Sequence, residues 1–247
     1  MINQFIQPFL KHNHCFILAY DHGSNKPPEI FKYQSQNPLY IFELAKNIQA
    51  TGIVLNKGIA EIYSQSNYKT PLIVKLDTKL ESTNQPILTC SVEYAKKLGA
   101  KAIGYTIYFG SEYESEQIKI FAELVEKAHS LNMATILWSY VVFPSWEIND
   151  NIEKQMFAFR QSYELGADLI KINSPKGSLD LSIIHSLIPN LPIAMRGGEV
   201  IDDLSLINWV KDSLKRGVDG FIIGRNLWQK ENATEIGKEI HKIIFNS

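Results

Sequence analysis

Cysteine is nearly absent from this chain: two residues, Cys15 and Cys90, among 247. Two isolated thiols form no disulfide framework and lack metal-ligand spacing, so both are expected to be reduced and in or near the core. No cluster of His, Cys and carboxylates reads as a metal site. Charge of one sign is also missing, since 25 Lys and Arg face 26 Asp and Glu for a net charge of −1, with no basic run. That balance argues against a nucleic-acid backbone or an anionic membrane surface as the main partner. No apolar run reaches the roughly 18 residues of a spanning helix. Asn3, Gln4, Gln7 and Pro8 break the N-terminus where a signal peptide needs an apolar core. A cytoplasmic protein with no membrane partner is expected.

Linkers and low-complexity stretches are lacking too, so residues 1–247 are read as a single domain with one large core. Short apolar runs at 16–20, 52–55, 72–76, 102–106, 134–138, 167–173, 192–195 and 220–223 predict eight buried strands. Helical spacing at 39–48, 58–63, 91–98, 115–131, 149–165, 179–187, 202–216 and 233–245 alternates with them. Gly99-Ala100, Gly166-Ala167 and Gly217-Val218 each precede a strand, as if one βα unit were reused. The predicted fold is a single (β/α)8 TIM barrel of the α/β class. A doubly wound open sheet would carry a glycine-rich phosphate turn after its first strand. Here that place holds Asp21-His22-Gly23.

Barrel active sites sit at the carboxyl ends of the strands. Ionisable and aromatic residues gather there: Asp21 and His22, Asn56 and Lys57, Lys75 and Asp77, Tyr105 to Tyr108, Trp138 to Tyr140, Lys171, Arg196-Gly197-Gly198 and Gly224-Arg225-Asn226. The opposite ends, such as Lys69-Thr70-Pro71 and Asn190-Leu191-Pro192, are plainer.

Lys171 stands out because an ammonium rarely sits inside an apolar strand without a partner. Desolvation would favour its neutral amine, a nucleophile for a carbonyl carbon; the strand alone points first to an ion pair with a buried carboxylate such as Asp21 or to a side chain reaching solvent at the strand end. Asp21 reads as a general acid or base or as a loop cap, and His22 as a substrate contact or a turn residue. Tyr140 reads as a proton donor or as a residue bridging core and water. Gly197, Gly198 and Gly224 lie where barrel loops often present N–H groups to a phosphate, with Arg225 able to add a charge-assisted bond. Lys75 is placed to hold a second anion or to depress the pKa of Lys171, whereas Lys57 reads as a solvated helix start.

Six pieces in order carry a family resemblance: Ala19-Tyr20-Asp21-His22-Gly23, Leu72-Ile73-Val74-Lys75-Leu76, Gly104-Tyr105-Thr106-Ile107-Tyr108 with Gly110-Ser111, Trp138-Ser139-Tyr140, Gly166-Ala167-Asp168-Leu169-Ile170-Lys171-Ile172, and Gly224-Arg225-Asn226-Leu227-Trp228-Gln229. With them the chain resembles the archaeal-type class I fructose-bisphosphate aldolases and their relatives, the DhnA-type and aminodideoxyheptulosonate-synthase-like aldolases. The resemblance implies a Schiff base between Lys171 and a ketone phosphate, with Tyr140 and Asp21 as proton-transfer groups. It implies a phosphate held around Gly197, Gly198, Gly224 and Arg225, and a pocket that includes His22, Lys75 and Trp138. No cofactor and no metal are implied. The partner is a small sugar phosphate, and a homo-oligomer is expected.

Departures concern the far end of the pocket. Relatives commonly read Trp-Ser-Tyr-Pro-Arg-Gly where this chain has Trp138-Ser139-Tyr140-Val141-Val142-Phe143. A basic and aromatic pair after the lysine is replaced by Asn173-Ser174-Pro175, and Ser-Gly-Gly by Arg196-Gly197-Gly198. The loop after Asp21-His22-Gly23 carries Asn25-Lys26-Pro27-Pro28. Arg196 is therefore expected to supply an anion contact of its own.

Overall fold

A computed structural model describes residues 3–24, 26–79, 85–142, 151–173 and 181–246. Eight parallel strands close into a barrel: β1 Cys15–Tyr20, β2 Gly52–Asn56, β3 Leu72–Lys75, β4 Ala102–Phe109, β5 Ala134–Val141, β6 Leu169–Ile172, β7 Ile193–Arg196 and β8 Gly220–Ile223. Strands pair in sequence order around the ring, and β1 closes it against β8 through Cys15↔Gly220 to Leu18↔Ile223. This is the (β/α)8 barrel expected from the alternating runs. The outer helices are α1 Pro38–Asn47, α2 Lys57–Ser64, α3 Val92–Lys97, α4 Glu114–Ser130, α5 Asn151–Glu164, α6 Leu181–Leu187, α7 Asp203–Lys215, the short α8 Arg225–Trp228, and α9 Ala233–Phe245.

The repeated glycines end helices in the same way. Gly99, Gly166 and Gly217 have φ of +85°, +85° and +90°, a left-handed conformation in which glycine avoids a Cβ clash. The next residue then donates its N–H back five positions, Ala100 to Ala95, Ala167 to Ser162 and Val218 to Ser213. This Schellman-type closure turns the chain directly into the following strand.

Strand alternation sorts side chains into two cores. Phe16, Leu18 and Tyr20 of β1 pack outward on the helices, while Cys15, Ile17 and Ala19 point into the barrel with Val54, Ile73, Ala102, Ala134, Ile136, Leu169, Ala194 and Ile222. Both cysteines are buried and unpaired, with Cys15 in the barrel core and Cys90 in the outer one.

The amino-terminal end of the barrel is sealed by a 3-10 helix, Gln4–Phe9, whose Ile6 and Phe9 join the inner core. Asn3 caps it by accepting from Phe5 N–H and ties it down by donating to Asp168 Oδ1 at 2.6 Å. Asp168 is buried and also meets His129 Nε2 at 2.9 Å and Thr135 N–H at 2.7 Å, so its carboxylate is fully occupied.

Three features depart from the sequence reading. β4 and β5 run past the apolar segments to Phe109 and Val141, which extends the wall at Tyr108 and Tyr140. A hairpin of Asp77–Lys79 and Pro86–Leu88 folds over the end of β3. The four-residue helix α8 follows Gly224 directly. The expected helix starts at 149 and 179, and Asn25, Phe143, Ser174 and Pro175, lie outside the described residues. Among the described residues no helix is long and apolar enough to cross a membrane.

Candidate active site

The carboxyl ends of the strands surround a cavity of about 420 Å³. β6 places Leu169 in the apolar layer, and two residues on the same inward face carries Lys171, 5% exposed. Its Nζ lies 4.7 Å from the centroid of the Trp138 ring, and Lys75 Nζ lies 5.2 Å from the same ring. The indole needs the space left at Gly104: a Cβ there would stand 2.5 Å from two of its ring carbons.

The two ammonium groups differ in their partners. Lys75 is paired with the buried Asp77 carboxylate, which also accepts from Thr106 N–H at 3.1 Å. Lys171 has no ion pair with any carboxylate among the described residues. Burial drives its pKa down from 10.5 to about 8, against the pull of Asp21 and with the push of Arg196 and Lys75. A useful share of free amine therefore exists at neutral pH.

Asp21 lies just past β1. Burial works to raise its pKa, but Lys171, His22 and Lys75 outweigh it, so the carboxyl is held below the usual range and stays ionised. Burial takes His22 down to about 4 despite Asp21, so its ring is neutral at pH 7. His22 Nδ1 and Asp21 Oδ1 are 3.5 Å apart, and neither buried atom has a hydrogen-bond partner. Unsatisfied polar atoms on a cavity wall are what an arriving polar ligand would satisfy.

Tyr140 lies on the inward face of β5 beyond Trp138. Burial pushes its phenol well above the usual value, while the Arg196 guanidinium, 5.4 Å over the ring, opposes the rise. Tyr108 packs against it at 5.8 Å between centroids, and Lys79 of the hairpin lies 5.1 Å over Tyr108.

A separate corner forms between β7 and β8. Gly197, Gly198 and Gly224 all line the cavity, and Arg225 donates to Gly198 O at 3.0 Å. Its Nε is buried without a partner. Asn226 locks the loop by donating at 2.6 Å to Gly197 O and to Glu199 O and by accepting from Ile201 N–H. Gly224 has no room for a side chain, because a Cβ would stand 2.6 Å from Ala19 O and 2.8 Å from His22.

All eleven residues selected from sequence, Asp21, His22, Lys75, Trp138, Tyr140, Lys171, Arg196, Gly197, Gly198, Gly224 and Arg225, line this one cavity. Lys57 opens α2 and packs over Tyr94 instead. Asp77, Thr106, Tyr108 and Asn226, which the sequence placed at the strand ends without a role, also line it. Parity assigns the first three to the cavity face: Asp77 follows Lys75 by two, and Thr106 and Tyr108 share the face of Gly104. Among the described residues, no group of three or more His, Cys, Asp or Glu side chains is placed to hold a metal ion.

Residues 15–230 match the DeoC/LacD family aldolase profile. The chain belongs to the DeoC/LacD aldolase family. Its similarity to a class 1 fructose-bisphosphate aldolase of Thermoproteus tenax is 32% identity over 251 residues, covering 99% of this chain and 95% of the relative. A 2-amino-3,7-dideoxy-D-threo-hept-6-ulosonate synthase of Archaeoglobus fulgidus is 25% identical over 242 residues, 96% of this chain and 88% of that one. Among solved structures, this family member superposes with a TM-score of 0.90 and 31% identity, over 98% of both chains, on an archaeal fructose-1,6-bisphosphate aldolase whose catalytic lysine is bound to the carbinolamine intermediate. As a DeoC/LacD aldolase the chain is an enzyme of the lyase class.

Proposed function

We propose that this chain is a class I aldolase that makes or breaks a C–C bond in a phosphorylated ketose, with dihydroxyacetone phosphate as the ketone half and fructose 1,6-bisphosphate as its reference substrate. The observation that carries the proposal is Lys171: a buried lysine with no ion pair among the described residues, partly neutral at neutral pH, in one cavity with an ionised carboxylate and a phenol.

The Lys171 amine adds to the ketone carbon, and loss of water from the carbinolamine leaves a protonated imine. That cation takes up the electron pair released when the neighbouring C–C bond breaks, giving an enamine and a free aldehyde. Protonation of the enamine and addition of water then return the ketone and the free amine. Tyr140 and Asp21 move the protons of the substrate hydroxyl and the carbinolamine, each in contact with the cavity. The phosphate of the ketone half sits at the corner of Gly197, Gly198, Gly224 and Arg225, where the orphaned Arg225 Nε awaits an acceptor. Trp138 flanks the imine.

A transaldolase-like synthase of the aminodideoxyheptulosonate type is the second reading. It is supported by the 25% identity to a synthase of that type over 96% of this chain. Residence in the cytoplasm agrees with two unpaired cysteines. Self-association rests on the family resemblance and is read by light scattering.

The test is borohydride reduction in the presence of dihydroxyacetone phosphate and, separately, fructose 1,6-bisphosphate, followed by peptide mass mapping. An adduct confined to Lys171, absent from Lys171→Arg, is expected because a guanidinium is not a nucleophile at neutral pH. No adduct with either ligand refutes the imine. An adduct with dihydroxyacetone phosphate but no cleavage of the bisphosphate moves the assignment to the synthase.

A further inference from the structure

Arg196 ends β7 on the wall of the cavity, and its surroundings assign it more than an anion contact. Ala194 is registered with Lys171 across β6 and β7, and Trp138 with Lys171 across β5 and β6. Two residues further along each outer strand, Arg196 and Tyr140 therefore share the layer directly above Lys171. Asn173, the position of β6 in that layer, is exposed. The two flanking side chains meet over the lysine, with the guanidinium carbon 5.4 Å from the Tyr140 ring centroid. Arg196 makes no ion pair with a carboxylate among the described residues. It is thus a permanent, uncompensated cation in the roof of the Lys171 pocket.

We propose that Arg196 is a positioning residue for the imine lysine: a fixed cation, packed on Tyr140 in the layer above Lys171, that keeps the lysine amine free and the Tyr140 proton mobile. The proposal rests on the imine reading of Lys171. A like charge beside an ammonium favours its loss of a proton, and a cation beside a phenol favours release of the phenolic proton. Both effects are present at this site, where Arg196 lowers Lys171 and opposes the burial-driven rise of Tyr140. The other charges facing Lys171 are Asp21 beyond β1, which pulls the opposite way, and Lys75 on β3, whose push is offset by its own partner Asp77. His22 is neutral, so among the described residues Arg196 is the cation beside the lysine that no carboxylate pairs with.

The experiment follows trapping of Lys171 by cyanoborohydride with unphosphorylated dihydroxyacetone, a ketone with no anion for Arg196 to bind. Adduct formation on Lys171 is mapped against pH for the wild type, Arg196→Ser and Arg196→Lys. Arg196→Ser is the main variant, because it removes the charge and keeps a polar side chain; unchanged thermal unfolding confirms its fold. The wild-type rate should have its midpoint near pH 8. In Arg196→Ser the midpoint should move upward, so that trapping at pH 7 falls about three- to tenfold, the effect of one nearby charge in a partly shielded site. Arg196→Lys should restore the wild-type midpoint. A wild-type adduct with the same midpoint in Arg196→Ser overturns the proposal and leaves Arg196 as an anion contact, seen as a raised KM for phosphorylated substrate alone. Absence of any adduct on wild-type Lys171 refutes the imine reading instead, so the two failures are distinct.

Discussion

Replacing Lys171 by methionine removes the amine and keeps most of the apolar stem, and it should both silence the reaction and stabilise the fold. The magnitude follows from the lowered pKa. Between 10.5 and about 8, at about 1.36 kcal/mol per tenfold, the charged lysine disfavours the folded state by roughly 3 kcal/mol. That figure already contains the attraction of Asp21. Below pH 8 the full penalty is present. From pH 8 to 10.5 the unfolded chain holds a proton that the folded protein has lost, so wild-type stability rises with pH and the penalty fades. Lys171→Met should therefore be more stable at pH 7 by up to about 3 kcal/mol, roughly 6–12 °C in Tm for a chain of this size, with the gap closing toward pH 10. Thermal unfolding of both proteins at pH 7 and pH 10 measures it. A lysine held in a structural ion pair gives the opposite sign, because truncating one partner strands the other charge at about 3–5 kcal/mol. A destabilised Lys171→Met at pH 7 would refute the reasoning and return Asp21 and Lys171 to a structural pair.

Three further outcomes are expected. Tyr140→Phe should lower kcat by about 100-fold or more while phosphate competition stays near wild type; equal losses in both would remove the proton-transfer role. Gly104→Ala places a methyl 2.5 Å from the Trp138 ring, and displacing the indole from between the two lysines should destabilise the protein by about 1–3 kcal/mol, read by denaturant titration and by a change in tryptophan fluorescence. Unaltered fluorescence would mean the indole does not depend on that space. Asn226→Ala removes the two bonds to Gly197 O and Glu199 O and the one from Ile201 N–H, each worth about 1 kcal/mol. Inorganic phosphate should then compete more weakly, with imine trapping by unphosphorylated ketone unchanged.

The barrel was legible because its signals are local. Apolar runs of strand length, helical spacing between them and glycines at the helix ends repeat along the chain, and each is fixed by backbone geometry rather than by distant contacts. The site was legible for a related reason: a charged residue in an apolar strand, such as Lys171, has few places to be except a cavity. What escaped depends on contacts between distant segments. The plug of Gln4–Phe9 is broken by polar residues and Pro8, and its partners, the inner core around Ile6 and Phe9 with Asp168 and His129, lie far along the chain. The Lys75–Asp77 pair was hidden because a hairpin, not a barrel strand, carries the carboxylate. Asn226 was visible as part of Gly224-Arg225-Asn226, but its work is to hold the loop after β7, a partner sequence spacing does not name.

The lowered lysine is a consequence of where it stands in the barrel. Burial is the largest cause of the shift, and the neighbouring charges adjust it. Trp138 and Ala194 flank Lys171 in its own layer, Ile136 and Leu169 lie in the layer beneath, and all four belong to one inner cluster with Phe9 and Ile6. The N-terminal helix closes the far end of this column with Ile6 and Phe9, and none of its residues lines the cavity. A dry floor raises the penalty on the ammonium, while Asp21, His22 and Arg196 in the roof stay within reach of a substrate. The apolar layers thus set how strongly charge is disfavoured at Lys171, and Asp21, Arg196 and Lys75 set which way the remaining balance falls.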